Sequence, residues 1–300
     1  MTNDLQAAID PVELRVDTPS GALAALQWGA PDAPALLALH GWLDNAASLA
    51  ALAPLIATRH RVIALDLPGH GHSAHLPRHA YRYHFVDYID CVLAAADALK
   101  LETFDLLGHS LGAGIASLAA AAAPARIRAL ALIEGLGPVA DDGSQTLARW
   151  RDAHLHRSRP RRAPRVFASV DAAIAARTAV GGGLEAEEAR PIVARNLRAV
   201  DGGFTWCSDA RLRRATPLRL DEPQVRRLLA GINAPTLLLL ADPAAPYLPA
   251  ARMAARVACV ADIRVEHIAG PHHLHVRKPQ AVARSVSSFL DEKQAVKLPS

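Results

Sequence analysis

The most constraining feature of the chain is a Gly-x-Ser-x-Gly motif at residues 108–112, between a short apolar run and an alanine-rich segment. A strand that turns sharply into a helix holds the central serine in a strained, exposed position, with its hydroxyl clear of the backbone. Side chains at Gly108 and Gly112 would collide with the neighbouring strand and helix. The alanine-rich and apolar residues Ile115–Ala123 predict a buried helix. The N-terminal end of this helix carries the positive end of the helix dipole and faces the place where negative charge develops during acyl transfer. The motif therefore predicts that Ser110 is a nucleophile.

Length and composition fit one large α/β domain, or an α/β core with an insertion. The 300 residues are 51% hydrophobic and 21% charged, which allows a sizeable core. The formal charge is +4, and the sequence has no basic groove interleaved with aromatic residues. We therefore expect no nucleic-acid partner. No uninterrupted apolar stretch reaches the length of a membrane span, so none is predicted.

The cysteine pattern indicates the compartment. Cys91, Cys207 and Cys259 are widely spaced and form no Cys-x-x-Cys pair. This argues against a disulfide framework and fits a reducing cytoplasm. Residues 1–11 lack a positively charged start followed by an apolar run, so we expect no signal peptide and a cytoplasmic location.

Strands and helices alternate through the first part of the chain. Strands are predicted at Val12–Val16, Ala22–Trp28, Ala35–Leu39, Arg61–Leu65, the run before the motif, Ile127–Ile133, Pro235–Ala241 and Ile263–Ile268. The alternation predicts an α/β fold with a mostly parallel sheet flanked by helices. It stops at Gly137 and resumes near residue 230. We therefore predict an α/β core from residues 1–136 and 230–300, with a helical cap at 137–229 inserted after the sixth strand.

A serine nucleophile needs a base, and a histidine-rich loop follows the last predicted strand. His272, His273 and His275 lie there, at the carboxyl edge of the sheet and so at the same edge as Ser110. The alternatives are a histidine-rich surface loop or a metal site made from the three imidazoles. The loop lacks carboxylates at metal-ligand spacing, so we expect no metal.

Two backbone N–H groups are predicted to form an oxyanion hole. One is that of Leu111, after the nucleophile, and the other is that of Trp42, in the loop after an early strand. The alternative for that loop is a simple tight turn. Trp150, Phe167, Phe204 and Trp206 are interpreted either as an acyl pocket under the cap or as plain core. The candidates for contacting substrate are His40, His109, Trp150 and Trp206.

Three further features are interpreted mainly as structural. Asp44 and Asn45 are expected to cap the helix that follows them, with a role in positioning water or substrate as the alternative. Asp66 and the glycine-rich loop at 68–73 are expected to form a tight turn. The basic run Arg157–Arg165 is interpreted as a solvated edge of the insertion, or else as a surface that attracts an acidic substrate.

Taken together, these motifs resemble the α/β-hydrolase superfamily from about Val12 to Leu290. In that superfamily the catalytic histidine commonly lies seven positions before a proline that opens the last helix, and His272 has this relation to Pro279. The resemblance therefore implies that His272 is the general base and then the general acid. Within the superfamily, Gly41–Ala46 and the Pro-Leu-Arg-Leu at 217–220 resemble the serine hydrolase-like proteins.

The carboxylate that orients the histidine has two candidates. The superfamily usually places it after the strand at Leu237–Leu240, as Gly-x-x-Asp, but this chain has Ala241 and Ala244 there, and Asp242 comes two residues early. The other place is the end of the strand before the insertion, where Glu134 with a proline four residues later resembles haloalkane dehalogenases. A carboxylate that ends a buried strand is costly unless it is paired. We favour Glu134, with Asp242 as the alternative and the absence of a true acid as the third interpretation.

The expected function is hydrolysis of a small-molecule ester or thioester through an acyl-serine, without a cofactor. Dehalogenases and epoxide hydrolases of similar fold attack with an aspartate where this chain has Ser110. Cleavage of a C–C, amide or lactone bond uses the same parts and stays open. A catalytically silent hydrolase fold, acting as a ligand receptor or interaction protein, is the alternative from another class.

Overall fold

The structure is a computed structural model that describes residues 10–155, 164–180, 183–245 and 249–295. Most of the basic run, at 157–163, lies outside the described residues. The strands are β1 (Val12–Thr18), β2 (Gly21–Trp28), β3 (Ala35–Leu39), β4 (Arg61–Leu65), β5 (Phe104–His109), β6 (Ile127–Ile133), β7 (Leu197–Val200), β8 (Gly203–Trp206), β9 (Thr236–Asp242) and β10 (Ile263–Ala269). The helices are α1 (Ala53–Ile56), α2 (Asp87–Ala98), α3 (Leu111–Ala122), α4 (Thr146–Leu155), α5 (Val170–Thr178), α6 (Ala186–Arg195), α7 (Glu222–Leu229), α8 (Ala250–Val257), α9 (Leu274–Arg277) and α10 (Pro279–Ala295). Short 3₁₀ helices cover Ala46–Leu49 and Ala210–Arg213.

Eight strands form one sheet in the order β1-β2-β4-β3-β5-β6-β9-β10. The pairs β1–β2 and β2–β4 are antiparallel, and the remaining pairs are parallel. Every residue of the central strands β3 and β5 is buried, because the sheet is covered on both faces. The predicted fold class, a mostly parallel sheet flanked by helices, is confirmed.

The sheet separates two apolar clusters, one on each face. Successive residues of β3 alternate between them, because side chains along a strand point to opposite faces. Leu37 packs in the cluster that includes Val92 of α2, whereas Leu36 packs in the cluster that includes Phe289 of α10. Among the described residues, no helix is both long and apolar enough to cross a membrane.

The segment between β6 and β9 contains a β-hairpin that the sequence analysis missed. We predicted only helical pieces there, yet β7 and β8 pair antiparallel around Asp201 and Gly202. Each strand has four residues, too few to give a clear apolar strand pattern. An Asp-Gly pair is nevertheless a strong turn signal, and Gly202 has a positive φ of 81°, which glycine adopts without strain. The hairpin packs near a small cluster of the insertion that includes Phe167 and Ile192.

Helix α7 lies at the end of the segment predicted as the cap, but it packs with the core. Its residues Val225 and Leu229 belong to the same apolar cluster as Ala116 of α3. A capping box between Asp221 and Gln224 fixes where the helix begins. Helix α7 therefore packs against the α/β core, and the division of the chain into core and cap stays a prediction.

Backbone crowding explains the two glycines of the motif. A Cβ atom on Gly108 would lie 2.3 Å from the carbonyl oxygen of Gly112, and one on Gly112 would lie 2.3 Å from that of Leu39. Both clashes involve backbone atoms, so no side-chain rotation can relieve them. The predicted collision with strand and helix is confirmed.

We expect Gly112→Ala to lower the free energy of unfolding by about 3 kcal/mol, because the helix must move away from the sheet to admit the methyl group. Urea denaturation would measure the change. Gly231→Ala is the control, since its nearest contact would be 3.2 Å and its effect should be much smaller. Equal losses in the two variants would contradict this account of the turn.

Candidate active site

Ser110 occupies a strained turn between β5 and α3. Its φ is 54° and its ψ is −110°, a region that residues other than glycine rarely adopt. Its N–H donates to the carbonyl oxygen of Ile133 at 2.9 Å, and the N–H of Gly112 donates to that of His40 at 3.1 Å. These bonds tie the turn to the ends of β6 and β3, which holds the half-buried serine at the carboxyl edge of the sheet.

The structure brings Glu134 and His272 together. Glu134 follows β6 with φ of 57°, is 2% exposed, and its Oε2 lies 3.0 Å from Nδ1 of His272. Its other oxygen, Oε1, accepts the N–H of Ala241 at 2.6 Å. The buried carboxylate is therefore engaged through both oxygens, as its position at the end of a buried strand requires.

This contact assigns the protons of the histidine. An ionised carboxylate only accepts hydrogen bonds, so Nδ1 of His272 carries the hydrogen that it donates to Glu134. In the neutral imidazole Nε2 then carries the lone pair that a general base needs.

Asp242 is not part of this contact. It is the last residue of β9 and is exposed, and its carbonyl oxygen accepts the N–H of Gly270 at 3.1 Å. Among the described residues, its carboxylate has no hydrogen-bond or ion-pair partner. Of the two candidate carboxylates, the structure therefore places Glu134 beside His272.

The two predicted oxyanion donors both lie in turns at this edge. Leu111 is the first residue of α3, and Trp42 lies in a turn closed by the bond from the Asp44 N–H to the Gly41 oxygen, at 3.2 Å. Within the described part of the chain, the N–H groups of Trp42 and Leu111 have no protein acceptor. The indole of Trp42 is 54% exposed, and its Nε1 donates to Leu212 of the insertion at 3.4 Å.

His109 connects the serine turn to the histidine loop. Its Nε2 donates to the carbonyl oxygen of His272 at 3.2 Å, and the two ring centroids are 4.7 Å apart. The hydroxyl of Ser110 makes no hydrogen bond with another described side chain, so direct contact between Ser110 and His272 stays a prediction.

The side chains of the other predicted substrate contacts, His40, Trp206 and Trp150, have partners within the protein. His40 is buried, with Nδ1 donating to the oxygen of Gly41 at 2.7 Å and Nε2 accepting from the N–H of Leu67 at 3.0 Å. Both ring nitrogens are thus used within the protein, and contact of His40 with substrate stays a prediction. Trp206 packs edge-on against Phe167 at 4.9 Å, beside the small core of the insertion. The ring of the exposed Trp150 is tilted by 50° against that of His154, with the two ring centroids 4.6 Å apart.

Four histidine side chains, including that of His272, lie close together at the candidate site. The ring of His109 lies 4.7 Å from His272, 5.2 Å from His273 and 4.0 Å from His275. Among the described residues, Nδ1 of His109 and both ring nitrogens of the buried His275 have no hydrogen-bond partner. No set of three groups suited to holding a metal ion occurs within the described ranges. Burial lowers the pKa of His275 to about 3 and that of His109 well below its usual range, so both rings are neutral.

A second carboxylate–imidazole pair lies next to the first and was not predicted. Nε2 of His273 is 3.2 Å from Oδ2 of the buried Asp44, whose Oδ1 accepts from Arg177 of the insertion at 2.8 Å. The sequence pattern at Asp44 predicts only a helix cap, with a role in positioning water or substrate as the alternative. Nothing in the sequence pattern around Arg177 indicates this partner.

Known proteins resemble this chain in sequence and structure. The family model for the alpha/beta hydrolase fold matches residues 34–181. A serine hydrolase-like protein of Danio rerio is 28% identical over 289 residues, covering 93% of this chain and 88% of that protein. The crystal structure of a hypothetical protein from Pseudomonas aeruginosa PAO1 is 38% identical, with a TM-score of 0.84 and coverage of 93% and 99%. An esterase of Mycobacterium tuberculosis is 25% identical, with a TM-score of 0.73 and coverage of 97% and 96%.

We expect the free energy of unfolding to fall as the pH is lowered from 7 to 5. Buried His275 stays neutral in the folded protein, whereas in the unfolded chain it takes up a proton near its ordinary pKa of 6.5. The unfolded state therefore binds more protons, and each such histidine costs up to about 1.4 kcal/mol per pH unit below that pKa. Urea denaturation at a series of pH values would measure this loss.

The variant His275→Leu isolates one such group. Its loss of stability between pH 7 and pH 5 should be smaller than that of the wild type by about 2 kcal/mol. His79→Leu is the control, because His79 is exposed and its removal should leave the pH dependence unchanged. An identical pH dependence in wild type and His275→Leu would contradict the assignment of a neutral buried ring.

Proposed function

Because this chain belongs to the α/β-hydrolase superfamily, we propose that it is a serine hydrolase acting on a carboxylic ester or thioester of a small molecule. The observation that carries the proposal is the 3.0 Å contact between Glu134 and His272, at the sheet edge that also holds the strained turn of Ser110. The similarity to serine hydrolase-like proteins and to an esterase supports the same reaction class.

In the first half of the proposed reaction, Ser110 attacks the substrate carbonyl. Nε2 of His272 removes the hydroxyl proton as Oγ bonds to the carbonyl carbon, and Glu134 stabilises the imidazolium that forms. The carbonyl oxygen becomes negatively charged and accepts hydrogen bonds from the N–H groups of Trp42 and Leu111. One such donor is worth about 2.7–4 kcal/mol of transition-state stabilisation.

In the second half, the tetrahedral intermediate collapses to an acyl-serine. The imidazolium of His272 gives its proton to the departing alcohol or thiol as the bond to that group breaks. Water then attacks the acyl carbon and passes a proton to His272, which returns it to Ser110 as the acid leaves. Water is the sole co-reactant in these steps, so the proposed reaction requires no cofactor.

The contact between Ser110 and His272 is proposed to close when substrate binds. Hydrogen bonds between catalytic groups are often long or misaligned in unliganded enzymes and tighten in the complex. The hydroxyl can turn by rotation about a single bond, whereas the bonds of Glu134 and His109 already hold the His272 loop.

The cellular location proposed for this hydrolase is the cytoplasm. Cys91, Cys207 and Cys259 are free thiols, and Cys91 is buried. Free, widely spaced thiols support a reducing compartment.

A fluorophosphonate probe tests the nucleophile. We expect the folded wild type to be labelled and Ser110→Ala to lose the label, together with a fall in kcat of at least about 10⁴-fold on p-nitrophenyl esters of graded chain length. Intact mass spectrometry would follow the label. Unlabelled, inactive but folded wild type would instead favour the silent ligand receptor.

Paired substitutions test the carboxylate. We expect Glu134→Gln to lower kcat by about 10³-fold or more, because the amide can neither fix the histidine tautomer nor stabilise its charge. Asp242→Asn makes the same chemical change at the exposed alternative and should leave kcat close to that of the wild type. A larger loss in Asp242→Asn than in Glu134→Gln would reject the assignment.

A further inference from the structure

Asp44 is a buried carboxylate that does not cap the helix after it. Asn45 does so, with Oδ1 accepting the N–H of Ala47 at 3.0 Å, so the predicted cap is right for Asn45 and wrong for Asp44. Asp44 is 2% exposed and lies between Nη2 of Arg177, at 2.8 Å, and Nε2 of His273, at 3.2 Å. Its two carboxylate oxygens therefore join the insertion to the histidine loop.

The charge of Asp44 depends on these partners. Burial raises the pKa of Asp44, but the hydrogen bonds and charges of His273 and Arg177 outweigh burial and hold the pKa below its usual range. Removing one partner from a buried ion pair leaves a charge with insufficient compensation, which is strongly unfavourable. Asp44 must then move, take up a proton or admit water.

Asp44 also closes the turn that carries the Trp42 N–H. Its own N–H donates to the oxygen of Gly41 at 3.2 Å, and Leu43 between them has a φ of 63°. A residue other than glycine is strained in this left-handed region and persists there only when its surroundings hold it. We call residues 41–44 the Trp42 turn. A shift of the Asp44 side chain would release the residue that closes it.

Two residues of the insertion contact the Trp42 turn or the residue directly after it. Arg177 lies in the last turn of α5, and the backbone oxygen of Ile192 in α6 accepts from Nδ2 of Asn45 at 2.8 Å. The chain after α5 also approaches the histidine loop, since a Cβ on Gly183 would lie 3.0 Å from Cβ of Pro271. The insertion is therefore seated on both loops that carry the proposed chemistry.

We propose that Arg177 is a positioning residue of the hydrolase, which holds the Trp42 turn through Asp44 so that the Trp42 N–H points at the developing oxyanion. This inference rests on the proposed function. It assigns the insertion a part in transition-state stabilisation, because the oxyanion donor has its productive direction only while α5 is seated on the core.

The experiment compares Arg177→Gln and Arg177→Lys with a matched control. Arg190→Gln removes the same charge from an exposed arginine of the insertion that pairs with Asp171 and Glu187, both at 3.2 Å. The readouts are kcat and KM on a p-nitrophenyl ester, and the affinity for a trifluoromethyl ketone, whose adduct with Ser110 carries the oxyanion. Hydrogen exchange of peptides covering the Trp42 turn is measured by mass spectrometry.

We expect Arg177→Gln to lower kcat by about 10²-fold with little change in KM, as for loss of one oxyanion donor. Affinity for the trifluoromethyl ketone should fall in step with kcat/KM, and exchange in the Trp42 turn should become faster. Arg177→Lys, which keeps the charge but not the planar geometry, should recover part of each loss. Arg190→Gln should match the wild type in all three readouts.

Folded Arg177→Gln with unchanged kcat, or with a change in KM alone, would overturn the inference. Should Arg177→Gln fail to fold, Arg177→Lys is judged by the same criteria. A wild type that neither hydrolyses esters nor reacts with the fluorophosphonate refutes the proposed function and, with it, the catalytic part of the inference. In that case hydrogen exchange still tests the claim that Arg177 holds the Trp42 turn. An exchange rate in this turn that is the same in Arg177→Gln and wild type would overturn that claim.

Discussion

The close approach of helix α3 to strands β3 and β5 is the constraint on which the candidate site depends. Carbonyl oxygens of Leu39 and Gly112 stand where the Cβ atoms of other residues would be, so glycine alone lets the helix begin directly after the strand. The same crowding gives Ser110 its positive φ and places the N–H of Leu111 at the start of α3. The strained conformation of Ser110, the proposed nucleophile, and the position of Leu111, a proposed oxyanion donor, are thus consequences of one backbone packing arrangement.

Charged side chains join the insertion to the core at the loops around the site. Arg177 meets Asp44, while Arg195 at the end of α6 meets Asp66 at 2.9 Å and Glu13 at 2.7 Å. The expectation that Asp66 forms a structural turn agrees with its contacts, because its oxygens also accept the N–H groups of Ala46 and His72. Glu13 is exposed, but the pairs made by the buried Asp44 and Asp66 are screened by salt much less than exposed pairs are. The position of the insertion and the geometry of the active-site loops are therefore linked by the same few ion pairs.

The sequence was most informative where a structural feature has a local cause. The bounds of β3, β4 and β6 were predicted to the residue, because strands buried on both faces are continuous apolar runs. A carboxylate at the end of such a strand is costly unless it is paired, and this argument favoured Glu134 as the acid. The structure places Glu134 against His272, whereas its catalytic role stays a prediction. The β7–β8 hairpin had a turn signal that was overlooked. The contact of Arg177 with Asp44 joins residues 133 positions apart and has no local signal, because tertiary packing alone creates it.

The position of Glu134 has a consequence for how the protein can evolve. With the carboxylate at the end of β6, and its second oxygen bound to the backbone of Ala241, the connection from β9 to α8 carries none of the proposed reacting groups. In a hydrolase whose acid follows β9, that connection must keep the length and shape that aim the carboxylate at the histidine. Here the described part of the connection, residues 243–245, is released from this requirement, so substitutions in it should be tolerated. It is therefore a natural place to graft foreign sequence, for example a binding peptide, while leaving turnover intact.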